Sequence, residues 1–265
     1  MTVHKLFQKL WDDYSSMNKQ AHAIHTLLEK RGEKIVNDHI AFRTYDIPKV
    51  NIDVLARPFI KFGYKQKGEY EFPEKKFFAF HYEHTDTSLP KIFISALKVK
   101  EFSSEIQTII KSLVEQVPSD RTQKDDFVVS GVLWKPIAYE IYKKLQHASE
   151  YAAWLSVYGF RANHFTVFFN AFRKIKTLPE LNKLLKDNGF KLNTSGGEIK
   201  GSREEYLEQS STLADPIEVQ FADRKAIIPG CYYEFARRYP LPNGKLFQGF
   251  VAPSADKIFE STDNK

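Results

Sequence analysis

The feature that most narrows the fold is a pattern that occurs twice. An apolar strand opened by a histidine leads into an amphipathic helix and then into further strand-like runs. In the first occurrence Ile40, Phe42 and Thr44 point one way along residues 38–45, and His39, Ala41 and Arg43 the other. A helix is expected over 51–62, stopped by Gly63, followed by strands over 64–72, 75–84 and 91–99. In the second occurrence ANHFTVFFN (162–170) reads as a strand and TLPELNKLLKDNG (177–189) as a helix with a glycine stop. FKLN, EQSSTLAD, PIEVQFAD and CYYEFARRY then supply strand-like runs over 190–239, with a turn at Ser195-Gly196-Gly197. Both patterns open on Asn or Asp before His, at Asp38-His39 and Asn163-His164. Two such βαβββ blocks, at about 36–100 and 161–240, predict an α+β fold with a curved central sheet whose concave face can hold a ligand. Helical additions are expected at 1–35, as one or two helices, and over most of 101–160. The 265 residues contain no linker or low-complexity run, so one functional domain is expected.

Several function classes drop out. Cys231 is the only cysteine, which excludes a disulfide scaffold and a cysteine-based zinc site. Its apolar strand also makes it an inert thiol. Lys and Arg total 39 against 33 Asp and Glu, a formal charge of +6. The bases are scattered among acids, with no RRM signature or zinc finger, so a nucleic-acid surface is not expected and a small anionic ligand suits the excess equally well. No run of about 18 apolar residues spans a membrane, and MTVHKLFQKLWDDYSS lacks the core of a secretory signal, so a cytoplasmic location is expected. GxSxG, P-loop, GxGxxG and HExxH motifs are absent.

Chemistry must therefore come from histidines and carboxylates. His4, His22, His25 and His147 fall on amphipathic helices as surface or boundary residues. His81 and His84, at odd spacing on one strand, face opposite sides; His81 packs in the core or lines a pocket. His39 and His164 hold equivalent places in the two blocks, where pseudo-twofold packing would bring them together. Glu234 is a carboxylate within an apolar strand, and its burial demands a cation or a hydrogen-bond network. A salt bridge to Arg237 or Arg238 would also satisfy it. Two histidines and a carboxylate with open positions form the facial triad of non-haem Fe(II) oxygenases, and zinc accepts the same set. Arg43 shares the His39 strand face about 13 Å further along, at ~3.3 Å per residue. It suits a substrate carboxylate, or is structural, paired with Asp46 or Glu71. The polar run Ser210-Ser211-Thr212 after Gln209 either contacts a ligand or marks a strand edge.

The segments NDHIAFRT (37–44), SEYAAWLSVYGFRANHFTV (149–167), GGEIKGS (196–202), LEQSSTLAD (207–215) and YYEFARR (232–238) resemble the DUF1338 family. Its characterised members are 2-oxoadipate dioxygenase/decarboxylases, or 2-hydroxyglutarate synthases. The resemblance runs over nearly the whole chain and implies a vicinal-oxygen-chelate-like fold around Fe(II), with Zn or Ni able to replace iron during purification. It implies His39, His164 and Glu234 as metal ligands, Arg43 as a substrate-binding residue, and Ser254 in GFVAPSADKIF at the pocket. The implied partners are a 2-oxo acid and O2, with 2-oxoadipate giving 2-hydroxyglutarate and CO2. The chain resembles a compact branch, shorter than the bacterial lysine-catabolism enzymes, so metal chemistry transfers better than the substrate. The alternatives are a metal-dependent hydrolase or glyoxalase-like isomerase that consumes no O2, or a non-enzymatic ligand-binding protein on the same scaffold.

Overall fold

In a computed structural model, which describes residues 1–262, the N-terminal helical stretch forms α1 (Val3–Met17) and α2 (Lys19–Lys30). Asn18 separates them, its side chain accepting the Ala21 N–H as the cap of α2. The first block follows as β1 (Asn37–Tyr45), α3 (Ile52–Lys61), β2 (Lys65–Phe72), β3 (Phe77–Glu83) and β4 (Lys91–Leu97). Between the blocks lie α4 (Ser104–Glu115), α5 (Tyr139–Ala148) and α6 (Glu150–Tyr158). The second block is β5 (Ala162–Phe168), α7 (Leu178–Asp187), β6 (Lys200–Ser202), β7 (Leu207–Ser211) and β10 (Tyr232–Arg238), with β8 (Pro216–Gln220) and β9 (Lys225–Pro229) inserted before its last strand. Helix α8 (Ala252–Phe259) follows.

The eight block strands form a sheet of order β2-β3-β4-β1-β5-β10-β7-β6. In each block the first strand neighbours the last, then the third, then the second, so the sequence duplication is a duplication of topology. Two departures from expectation have local causes. PIEVQFAD does not join the second block: β8 pairs only with β9, as a separate two-stranded sheet. FKLN forms no strand and keeps a single bridge, Leu192 to Thr212. The short β6 supplies the block's second strand instead, and Gly201 within it has φ +79° with the Leu207 carbonyl where a Cβ would stand.

The chain divides into two compact units. One comprises Met1–Tyr14, Ala41–Asn163 and Pro216–Pro229; the other comprises Ser15–Ile40, His164–Asp215 and Gly230–Lys265. In the first, the buried Tyr151 hydroxyl of α6 accepts the Thr44 N–H at 2.9 Å and lies 3.0 Å from Ser95 Oγ, tying α6 to β1 and β4. In the second, β10 runs parallel to β5 and antiparallel to β7, with Glu234 opposite both Thr166 and Ser211. Strand alternation then sorts the side chains. Phe165, Val167, Tyr233 and Phe235 are buried on one face; α7, with Leu181 and Leu185 buried, packs against β7, where Ser210 reaches its Asn182 at 2.7 Å, and α2 packs against β10. Each such buried Leu or Phe contributes roughly 1.5–3 kcal/mol. His164, Thr166, Tyr232, Glu234, Gln209 and Arg238 share the opposite face, buried and polar. The Phe168 N–H donates to the Val36 carbonyl at 2.7 Å, which sets the start of β1 beside β5 and delivers His39 to that face.

Candidate metal centre

His39, His164 and Glu234 all belong to the second unit and are at least 97% buried. One ligand atom from each lies within 4.8 Å of the other two. His39 Nε2 is 3.9 Å from Glu234 Oε1, and His164 Nε2 is 3.2 Å from Glu234 Oε2. Atoms bonded to a common divalent ion at 2.0–2.2 Å stand about 3–3.5 Å apart, so the set is near the spacing such an ion needs. Among the described residues no other cluster of this kind occurs.

Each of these side chains is held from behind. His39 Nδ1 donates to Asp38 Oδ1 at 2.9 Å, and because a carboxylate only accepts, the neutral ring carries its lone pair on Nε2. Asp38 is in turn gripped by Arg238, with Nε to Oδ2 at 2.6 Å and Nη2 to Oδ1 at 2.8 Å. Arg238 Nη1 also donates to the carbonyls of Phe247 and Gly249 at 3.0 and 2.8 Å, and the Phe250 ring meets His39 edge-on at 4.8 Å. The His164 ring stacks on Tyr232 at 4.6 Å. Gln209 donates from Nε2 to Glu234 Oε1 at 2.6 Å, while Glu234 Oε2 accepts no hydrogen bond with proper geometry from any described residue.

This donor set fits a divalent metal ion. Burial pushes the Glu234 carboxyl up, but His164, His39 and Gln209 outweigh it and hold the group below the usual carboxylate range. The expected salt-bridge alternative for Glu234 does not form, because the buried Arg238 is committed to Asp38 and the Arg237 guanidinium lies over Phe169 and Tyr239. A fully buried carboxylate whose two oxygens face one imidazole nitrogen each has the chemistry of a cation site.

The remaining candidates are placed as follows. Arg43 lies in the first unit and is buried. Its Nη1 donates to Glu150 Oε1 and Oε2 at 3.0 and 3.1 Å, and its guanidinium lies over Tyr151 and Trp154. Neither Asp46 nor Glu71 is its partner in those contacts; Glu71 pairs with Lys98. Ser254 is buried on α8, beside Gly201 of β6. His81 bonds Tyr70 and Glu83 on its own sheet. Ser210 and Ser211 bond Asn182 and Ser261, and Thr212 Oγ1 accepts from Tyr233 N. Three residues around the cluster escaped sequence reasoning, Asp38, Thr166 and Gln209, and Arg238, expected as a partner of Glu234, pairs with Asp38 instead. Their signal was available in part, since Thr166 stands two residues after His164 and so shares its face.

The sequence profile of the 2-oxoadipate dioxygenase/decarboxylase family matches residues 2–247. Rice (Oryza sativa subsp. japonica) 2-oxoadipate dioxygenase/decarboxylase, chloroplastic/amyloplastic, is 38% identical over 276 residues, covering 95% of this chain and 76% of that protein. The rice hydroxyglutarate synthase structure, solved in complex with 2-oxoadipate, superposes with a TM-score of 0.90 at 35% identity, covering 98% of this chain and 91% of that one. A Shewanella frigidimarina protein provisionally described as a hydrolase is 50% identical with a TM-score of 0.90, covering 94% and 98%. A Ralstonia eutropha protein assigned to the glyoxalase superfamily shares the fold, with a TM-score of 0.73 at 20% identity over 93% of this chain and 85% of that one. The α+β architecture of two βαβββ blocks expected from the duplicated pattern is therefore the one found. No helix among the described residues is long and apolar enough to cross a membrane.

Proposed function

The chain belongs to the 2-oxoadipate dioxygenase/decarboxylase family, and from that premise we infer that it oxidatively decarboxylates a 2-oxo dicarboxylate, 2-oxoadipate giving 2-hydroxyglutarate. The observation that carries this reading is the buried convergence of His39, His164 and Glu234 on one sheet face. Loss of C1 as CO2 requires one oxygen atom for the new carboxylate and one for the new hydroxyl, so one O2 is consumed per CO2 released.

Fe(II) is the proposed metal, and when bound it supplies the O2 chemistry and carbonyl polarisation that no side chain here possesses. His39 and His164 would hold it through Nε2 and Glu234 through its carboxylate. Asp38 and Gln209 keep those ligands aimed, and the apolar rings of Phe250 and Tyr232 keep bulk water from the site. Arg43 is proposed to hold a substrate carboxylate. Its place four residues after His39 on the unbroken β1, and a guanidinium fixed by Glu150, Tyr151 and Trp154, support that role. Ser254, on the helix against β6, is proposed at the pocket wall.

Aerobic turnover of a panel of 2-oxo acids with Fe(II), read as O2 uptake against CO2 release, tests the reading. The expected result is a one-to-one ratio and a preference of about ten- to a hundredfold for dicarboxylates over monocarboxylates of similar length. Anaerobic turnover at the aerobic rate would overturn it in favour of hydrolase or isomerase chemistry. Equal rates on both substrate types would remove the substrate assignment.

A further inference from the structure

Thr166 is fully buried on β5, opposite Glu234 in the strand register and two residues from His164 on the same face. Its Oγ1 lies 3.0 Å from His39 Nε2. In the neutral ring, the form that can bind a metal, Asp38 as an acceptor-only carboxylate holds the proton on Nδ1, so Nε2 accepts and the Thr166 hydroxyl is the donor. The lone pair that receives the Thr166 proton is the same one His39 has to offer a metal ion. It cannot serve both.

Ion binding at the triad therefore displaces the hydroxyl proton. The backbone on either side of Thr166 is locked in the ladder with β10, so the hydroxyl can turn about its χ1 but cannot leave. A buried hydroxyl without an acceptor is destabilising, and it will seek the nearest oxygen lone pair that binding brings in. The first block offers nothing similar, because Ala41 occupies the equivalent position two residues after His39. We propose that Thr166 is a further catalytic residue: it caps His39 Nε2 in the metal-free protein and, with the metal in place, donates its hydrogen bond to an oxygen of the 2-oxo carboxylate head group bound there. The second half rests on the function proposed above; the first half does not.

The experiment compares wild type, Thr166→Val and Thr166→Ser as full-length proteins. Co(II) titrations followed by visible absorption read the competition. Removing the hydroxyl while keeping the side chain's shape should tighten Co(II) binding about two- to tenfold, and serine should restore the wild-type affinity. A merely structural threonine would give unchanged or weaker binding, and that result overturns the displacement. Turnover of 2-oxoadipate with Fe(II) and O2 reads the substrate contact. Thr166→Val should lose about tenfold or more in kcat/KM while Thr166→Ser keeps most of it. Tighter Co(II) binding with unchanged turnover overturns the contact to the head group. A wild-type protein that leaves 2-oxoadipate untouched overturns the functional reading and the contact with it, while the Co(II) ordering still decides the displacement.

Discussion

Asp38 and Arg238 form a buried bidentate pair, with side chains 0% and 1% exposed, and the structure sets what breaking it should cost. Asp38→Asn is nearly isosteric but leaves the guanidinium charge in a dry interior with no counter-charge. Arg238→Met leaves the carboxylate uncompensated and strips the Phe247 and Gly249 carbonyls of their donor. Each single change should cost about 3–5 kcal/mol, and at about 2–4 °C per kcal/mol for a protein of this size Tm should fall by about 6–20 °C. In the double variant neither lone charge remains, so its loss should be close to that of Arg238→Met alone. Calorimetry with hydrogen exchange of the β10 amides is the suitable assay. Trp11, Trp134 and Trp154 all lie in the other unit, so tryptophan fluorescence would miss a local opening. If the two single losses simply add, to within about 0.5 kcal/mol, the pair is not coupled and the argument fails. A second readout separates function from stability: Asp38 fixes the His39 tautomer, so Asp38→Asn should weaken divalent metal binding about 10- to 100-fold. Unchanged metal affinity would refute that role even where the protein is destabilised.

Glu234→Ala should abolish turnover and metal retention, checked by metal content after dialysis against the wild type; full metal occupancy in the variant would remove Glu234 from the ligand set. Arg43→Lys keeps the charge but loses the planar fork held by Glu150, and should lower kcat/KM for a dicarboxylate about tenfold or more; intact turnover in both Arg43→Lys and Arg43→Ala would make Arg43 structural. Burial holds the Lys200 ammonium down to about 8, with Nζ donating to the Asn193 and Gly197 carbonyls. Since the unfolded lysine titrates near 10.4, the unfolded chain binds more protons between those values, and the penalty of the buried charge is relieved as pH rises through that window. Denaturation at pH 7.5 and about pH 10 should show wild type gaining stability relative to Lys200→Met; a constant difference would refute the assignment.

What could be read from the sequence was whatever repeats or alternates locally. The two histidines were legible because the duplicated blocks put them at equivalent strand positions, and Glu234 because a carboxylate among apolar strand residues needs an explanation. The same logic failed for Asp38, which stands directly before His39 and differs from its counterpart, Asn163. Its meaning lies in Arg238, two hundred residues away, and no local pattern announces that partner. Arg43 shows the same limit: its face was predictable from alternation, but its ion-pair partner, Glu150, is brought to it by α6, from 107 residues along the chain.

The misread β8 segment has a related cause. Ile217 and Val219 alternate with the more exposed Pro216, Glu218 and Gln220, so the strand itself is legible. Which sheet it joins depends on β9, and the short loop between them closes a local hairpin before the chain reaches β10. Local closure costs less entropy than pairing with a distant strand edge. The place beside β7 is therefore left to β6, a three-residue strand with a glycine at its centre that carries almost no strand signal of its own. Chemistry follows the same division. Side-chain identity fixes which atoms can bind a metal, whereas the order of strands decides which of them meet. In this chain the parallel pairing of β10 with β5 does that work, because it sets Tyr232 against His164 and Glu234 against Thr166. A one-residue slip in that register would turn Glu234 onto the apolar face beside Phe165 and Val167, where an ionised carboxylate has no counter-charge, and turn Tyr233 and Phe235 onto the polar face. The polar face thus specifies the register as well as using it.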